Sequence, residues 1–407
     1  GGGIPASHDR PLRPLRYPSH PMSPTPLQSV PRIPEPPQGD VALVAVDRAL
    51  SELRRGRAIA LQDAEGRAWR LVVALETASA DLLAHALAQP GTALAITGAR
   101  AAALNVPCES DELLLLTLPA SMNAAQLHEL GRHWEGDGWR AVLGDAVPPH
   151  VTCADEMATA AVQLAKSAQL LPALLVAATT TGLPPAAVLA VRVDQVARYA
   201  HPTPEDLVRV SEAGVPLRKG VMSRLVLFRD RRDASEHVAV VVGSPDAAKV
   251  VPVRAHSSCF TGDLLGSLRC DCGEQLQTAV QRLHAEGGGV LLYLAQEGRG
   301  IGLANKLRAY QLQDEGLDTI DADRHLGFSA DERSYAIAAA MLHQLGFTRI
   351  RLLTNSPHKV RELRARGIDV EEMESLLAPS NAHNERYLRT KRDRAGHLIP
   401  GDDSAAE

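Results

Sequence analysis

Val290-Leu-Leu-Tyr-Leu-Ala-Gln-Glu-Gly-Arg-Gly-Ile-Gly-Leu303 joins a short apolar run to a loop of glycine and charge, and its reading decides the fold. Five apolar residues in a row suit a buried strand, and the glycine-rich segment at their C-terminal end sits where α/β sheets present ligand loops. A helix to about Glu315 follows. Upstream, His237-Val-Ala-Val-Val-Val-Gly and Val250-Val-Pro-Val-Arg-Ala-His read as strands, and Gly273 opens a helix whose apolar face is Leu276, Ala279, Val280 and Leu283, ending at the triple glycine 287–289. Downstream, a helix with Ser329 or Asp331 near its start runs to Leu345, Arg349-Ile-Arg-Leu-Leu-Thr is a strand, and Pro357 opens another helix at the favoured first position. The alternation predicts an α/β (α+β) chain.

The first half carries less visible chemistry. Val46, Leu50 and Leu53 share a helical face, Ala58-Ile-Ala-Leu-Gln and Arg70-Leu-Val-Val-Ala-Leu read as strands, Ala80–Ala88 as a helix, and Thr92-Ala-Leu-Ala-Ile-Thr as a third strand. A domain over 39–220 and a second over 221–398 are expected, with the boundary in the region 214–236. Residues 1–38, with Pro11-Leu-Arg-Pro-Leu-Arg-Tyr-Pro18, have the composition of a disordered leader, and 399–407 that of a flexible tail. The opening Gly-Gly-Gly lacks a methionine, which leaves Met22 as one candidate start.

The 407 residues suffice for two or three cores, and a formal charge of -5 offers no basic field for nucleic acid. No apolar run approaches the roughly 18–20 residues of a membrane span. Five cysteines in a chain of this size do not make a disulfide framework and suit a reducing cytoplasm.

Three of those cysteines lie in Cys259-Phe-Thr-Gly-Asp-Leu-Leu-Gly-Ser-Leu-Arg-Cys270-Asp-Cys272-Gly, whereas Cys108 and Cys153 are more than a hundred residues upstream. Three thiolates leave the fourth position of a tetrahedral zinc open, as in a site that activates water. Two alternatives stand beside that preferred reading: ordinary buried thiols, or a closed site with His256 as the fourth ligand. Arg254, His256 and Arg269 flank the loop and would suit an anionic substrate. In Glu297-Gly-Arg-Gly-Ile-Gly the glycines would let backbone approach a ligand, with Arg299 pairing to phosphate and Glu297 accepting from a base amino group, but a tight turn explains the segment as well. On their own, Asp331-Glu-Arg333 reads as a helix cap with a surface arginine, and Tyr310 as core.

Taken together, Arg254-Ala-His-Ser-Ser-Cys259, Thr261-Gly-Asp, Ser267-Leu-Arg-Cys270-Asp-Cys272-Gly, Gln296-Glu-Gly-Arg-Gly-Ile-Gly-Leu, Asn305-Lys, Ala309-Tyr310, Leu326-Gly-Phe, Asp331-Glu-Arg, Leu353-Thr-Asn-Ser-Pro-His-Lys359 and Asn384-Glu-Arg-Tyr-Leu-x-Thr-Lys resemble GTP cyclohydrolase II in order and spacing over about 236–398. The resemblance implies two mixed-sheet domains, the C-terminal one of that type with a zinc loop. It implies hydrolysis of GTP to 2,5-diamino-6-(5-phosphoribosylamino)pyrimidin-4(3H)-one, formate and pyrophosphate, the first step of riboflavin synthesis.

By the same resemblance Cys259, Cys270 and Cys272 bind zinc, which activates water for attack on the purine carbon between the two ring nitrogens. Asp331 is the general base, Arg333 acts at the α-phosphate as a nucleophile or, alternatively, as an electrostatic stabiliser of phosphoryl transfer, and Tyr310 positions purine and water. Arg254, Ala255, His256, Ser257, Ser258, Gln275, Glu297, Gly298, Arg299, Thr319, Thr354 and Lys359 match nucleotide-contacting positions, and magnesium accompanies the triphosphate. A cytoplasmic homodimer is implied. The family usually has glutamate where Ser258 stands, which removes a carboxylate beside the metal without removing a ligand. A variant stopping at the formamidopyrimidine and a non-catalytic GTP-binding regulator with structural zinc are the alternatives.

The segment Ala49-Leu-Ser-Glu-Leu-Arg-Arg-Gly-Arg-Ala-Ile-Ala-Leu-Gln-Asp63 faintly resembles the start of 3,4-dihydroxy-2-butanone 4-phosphate synthase. That enzyme's acidic magnesium loop and its Gly-His-Thr-Glu-Ala segment have no counterparts here. A degenerate, catalytically silent domain kept for dimerisation or stability is expected.

Overall fold

The computed structural model describes residues 38–106, 112–132, 150–178 and 180–399. The proline-rich stretch, apart from its last residue, and all but the first residue of the C-terminal tail lie outside these, as does Cys108. Two mixed sheets organise the chain.

The first sheet runs in the order Val151–Cys153, Leu113–Thr117, Ala93–Thr97, Ala173–Val176, Ala68–Ala74, Ile59–Gln62, Leu189–Arg192, with Thr180–Thr181 pairing onto Ala68–Ala74. Only the pair Ile59–Gln62 with Leu189–Arg192 is parallel; the others are antiparallel. One face is covered by the helices Gln38–Arg54, Glu156–Ser167 and Val193–Ala200. Val46, Leu50 and Leu53 are fully buried there, as their helical spacing predicts.

The second sheet runs Asp369–Glu374, Arg349–Leu353, Val251–Ser257, Gly288–Leu294, Glu236–Gly243, Met222–Asp230, Leu207–Pro216. Its first four strands are parallel and the remainder antiparallel. It therefore begins at Leu207, earlier than the expected domain start at 221. Leu207–Pro216 is an edge strand with both faces largely exposed, so its side chains show no buried alternation to read.

Another expectation fails instructively. The helix ending at Leu345 begins at Ala336, not near Ser329 or Asp331. Asp331 spends its carboxylate on the Arg333 side chain and backbone instead of capping a helix, and the Glu332 amide donates to the Arg299 carbonyl.

The two halves meet through buried polar contacts. Arg100, almost wholly buried, donates to the carbonyls of His325 and Leu130. Arg308 pairs with Glu76 at 2.8 Å. Leu171 joins Ile301, Ala309, Leu312, Ala322, Leu326 and Phe328 in one apolar cluster.

Candidate active site

Val251–Ser257 and Gly288–Leu294 lie side by side at the centre of the second sheet, and their C-terminal ends deliver the cysteine loop and the glycine loop to one cleft. This is the end of a parallel sheet where ligands bind. Arg254, His256, Ser257, Ser258, Cys259, Cys270, Cys272, Gln275, Gly298, Arg299, Tyr310, Thr319, Arg333, Thr354 and Lys359 all line the cleft.

Cys259, Cys270 and Cys272 place their three Sγ atoms within 4.8 Å of one another, and Cys259 Sγ stands 3.7 Å from Cys270 Sγ. Tetrahedral zinc with Zn–S of about 2.3 Å sets its sulfurs about 3.8 Å apart, so the thiols fit that ion. Gly262 forms the floor: a methyl group there would come within 2.9 Å of Cys270 Sγ and 3.1 Å of Cys259 Sγ. His256 does not join the cluster. Its Nε2 stands 3.1 Å from an Asp263 oxygen, and the same carboxylate accepts from the Cys259 amide and the Tyr293 hydroxyl. Asp263 thus fixes strand, loop and histidine together.

Cations crowd the other side. Arg254 is buried, donates to the Leu353 carbonyl at 2.9 Å and to Gln275 at 2.6 Å, and leaves its Nε without a partner among the described residues. Gln275 continues to Asp271, which pairs with Lys391 at 2.7 Å. Lys359 reaches the Ala255 carbonyl at 3.2 Å. Burial first, and then Arg254 and Arg333, push the Lys359 ammonium well below its usual range. Burial and the cations Lys391, Lys359, Arg299 and Arg333 likewise push His397 down to about 3. A buried site with this excess of positive charge is built to be neutralised by an anion.

Arg333 grips Asp331 through two bonds of 2.7 and 2.5 Å. Burial opposes the charge on Asp331, but the guanidinium outweighs it and holds the carboxyl below the usual carboxylate range. Burial would also discharge Arg333, yet Tyr335 and Asp331 overcome it and push the guanidinium upward. Arg299 sits at φ 58°, in the left-handed region that favours glycine, and stands 3.9 Å from Asp323.

Three expected site residues, the nucleotide contacts Ala255 and Glu297 and the general base Asp331, lie apart from the cleft lining. Ala255 contributes a backbone carbonyl to Lys359, and Asp331 faces Arg333. Glu297 has both oxygens engaged, one by Lys306 at 2.7 Å and the other by the Phe260 amide at 2.6 Å. Lys306 also lies 3.0 Å from Cys259 Sγ. Arg269 stacks over the Tyr310 ring at 4.7 Å and pairs with Asp314.

The sequence reading assigned no role to Lys306, Asp323, Asn355, Tyr387, Lys391 or His397, all of which line the cleft. Lys306, Asn355, Tyr387 and Lys391 fall inside the quoted motifs. Asp323 and His397 carried no signal. Burial raises the Asp323 carboxyl to about 7, with Arg299 opposing and Asp331 and Glu332 adding. As pH rises from the unfolded value of 3.8 toward about 7 the unfolded chain releases this proton while the folded one keeps it, so folding stability falls across that window. Asp323→Asn is therefore expected to raise the thermal midpoint by several degrees at pH 8 and to leave it nearly unchanged at pH 4. Equal shifts at both pH values in a thermal melt would refute this.

A metal-type thiol triad facing a cation-lined cleft at the end of a parallel sheet has the make-up of an enzyme site suited to an anionic ligand. The model of the GTP cyclohydrolase II family matches residues 208–375. The GTP cyclohydrolase-2 of Azospirillum brasilense is 44% identical over 375 residues, covering 89% of this chain and 96% of the relative. That of Xylella fastidiosa (strain Temecula1) is 40% identical over 90% of each chain. The riboflavin biosynthesis protein RibBA of Salinispora tropica is 49% identical over 210 residues, which cover 51% of this chain and 52% of the relative. A solved structure of RibBX, a two-domain 3,4-dihydroxy-2-butanone 4-phosphate synthase from A. baumannii, aligns over 82% of this chain at 17% identity with a TM-score of 0.28, a likeness too slight to carry an argument. The chain belongs to the GTP cyclohydrolase II family and is a hydrolase. Among the described residues no helix is long and apolar enough to cross a membrane.

Proposed function

We propose that the chain hydrolyses GTP to 2,5-diamino-6-(5-phosphoribosylamino)pyrimidin-4(3H)-one, formate and pyrophosphate, with zinc at the cysteines and magnesium on the triphosphate, as a cytoplasmic homodimer. The observation that carries this reading is the shared cleft: three thiols at zinc spacing on one wall and a cluster of buried cations on the other.

Cys259, Cys270 and Cys272 would hold the ion. When bound, zinc lowers the pKa of water toward neutrality and so supplies a nucleophile for the purine carbon. Arg254, Lys359, Arg299 and Lys391 hold the phosphates, and triphosphate binding relieves the repulsion from Arg254 and Arg333 that adds to burial in depressing Lys359. Asp331, ionised by its pairing with Arg333, accepts a proton once Arg333 turns to phosphate. Arg333 stays protonated, which favours charge stabilisation at the α-phosphorus over nucleophilic attack. Tyr310, held beneath Arg269, orients the purine and water. Glu297 can accept from the base only by releasing Lys306 or the Phe260 amide, so its present task is to order the cysteine loop.

The N-terminal half, about 39–206, is proposed to be silent as a butanone phosphate synthase; product formation from ribulose 5-phosphate would refute that. The principal test incubates the purified chain with zinc, magnesium and GTP. Formate and pyrophosphate released together are the expected result. Pyrophosphate without formate would indicate arrest at the formamidopyrimidine, and GTP binding without either product would indicate a regulator.

A further inference from the structure

The segment 166–172 of the first half touches three parts of the catalytic half at once. Lys166, in the last turn of the helix Glu156–Ser167, pairs with Glu332 Oε1 at 2.7 Å, and both side chains are about four-fifths buried. Gln169 holds φ 59° just past that helix end, a place where glycine is the usual choice. Its carbonyl accepts from Asn305 at 2.8 Å, and its side chain lies so close to Gly302 that a methyl there would stand 2.6 Å from its Oε1. Leu171 enters the apolar cluster beneath the helix that carries Tyr310.

Glu332 lies between Asp331 and Arg333 in the chain, and its carboxylate pairs with Lys166. Its amide donates to the Arg299 carbonyl, its carboxylate accepts from the Ser329 amide, and its backbone packs on Gly300, where a methyl would come within 3.0 Å of the Glu332 carbonyl. The residue therefore couples the glycine loop to the acid-arginine pair, and Lys166 is the cation that fixes it. No other part of the first half is paired with this carboxylate among the described residues.

We propose that Lys166 is a positioning residue for the Asp331–Arg333 pair, acting through Glu332, so that the first half serves catalysis as a clamp on the catalytic loop. This rests on the reading of Asp331 and Arg333 given above. A pair with this little solvent exposure keeps its geometry far better than a surface pair, and small displacements at a reacting centre lower turnover steeply.

The test compares steady-state formate and pyrophosphate release by the full zinc-loaded chain, wild type, Lys166→Met and Lys166→Arg. The expected result is a fall in kcat of about tenfold or more for Lys166→Met with KM for GTP changed less than about threefold, and recovery of most of that loss in Lys166→Arg. A kcat for Lys166→Met within about threefold of wild type, or a loss in Lys166→Arg equal to that in Lys166→Met, overturns the proposal. Absence of turnover in the wild type would instead sink the functional reading itself. Should Lys166→Met fail to fold, Glu332→Lys is compared with the exchanged pair Lys166→Glu, Glu332→Lys: higher kcat in the exchanged pair supports the clamp, and equal kcat overturns it.

Discussion

Cys270→Ser is expected to release no measurable formate from GTP, a loss of about four orders of magnitude or more, while GTP still binds within about tenfold of the wild-type affinity. The triad leaves no spare ligand: among the described residues the cluster holds three thiols, and His256 is committed to Asp263. A serine hydroxyl is a poor substitute for thiolate at zinc, so the variant should also lose most of its bound metal. Binding is expected to survive because its cations come from other elements. Arg254 lies on the central strand, Lys359 in the helix Pro357–Arg364 and Lys391 in the helix Glu385–Asp393. Metal content, GTP binding by calorimetry and formate release together check the prediction. Wild-type turnover with an empty triad would remove zinc from the reaction.

Arg333→Lys is expected to lower the rate of pyrophosphate release by about a hundredfold to a thousandfold, with KM for GTP changed only modestly. The two short bonds to Asp331 require a planar fork that ammonium cannot reproduce, and the same fork is what would face phosphate. Lysine still neutralises Asp331, so the fold should hold. Arg333→Ala should instead lose about 1–3 kcal/mol of stability, because it leaves the half-buried Asp331 carboxylate without its cation. Its carboxyl would move upward once the cation that holds it low is gone. Pyrophosphate release and urea unfolding of the two variants separate these effects. Unchanged turnover in Arg333→Lys would relieve Arg333 of any role at the α-phosphate.

Much of the site was legible because its residues come in dense local motifs. Cys259 and Glu297-Gly-Arg-Gly each follow a strand's C-terminal end, Cys270-Asp-Cys272 opens the helix Cys272–Ala285, and periodicity located those strands within about two residues. The elements that escaped either show no burial pattern or are too short for a period to register. Leu207–Pro216 is exposed on both faces, and Thr319–His325 is only seven residues long. Lys391 and Asp271 stand in quoted motifs, but their pairing spans 120 residues of chain, and sequence spacing says nothing of such closure. The engagement of Glu297 by Lys306 was illegible for a different reason: a glutamate beside glycines reads the same whether its oxygens face ligand or loop.

The path from Arg254 through Gln275 and Asp271 to Lys391 also has a consequence in time. During synthesis the three cysteines, the glycine loop and Asp331 all emerge well before Lys391. A nascent chain that has reached Leu353 carries every thiol of the triad, yet Arg254 has met neither Lys359 nor the last helix. The thiols of the proposed metal site are thus all synthesised before the proposed nucleotide seat is complete, since its last cation, Lys391, arrives with the final helix.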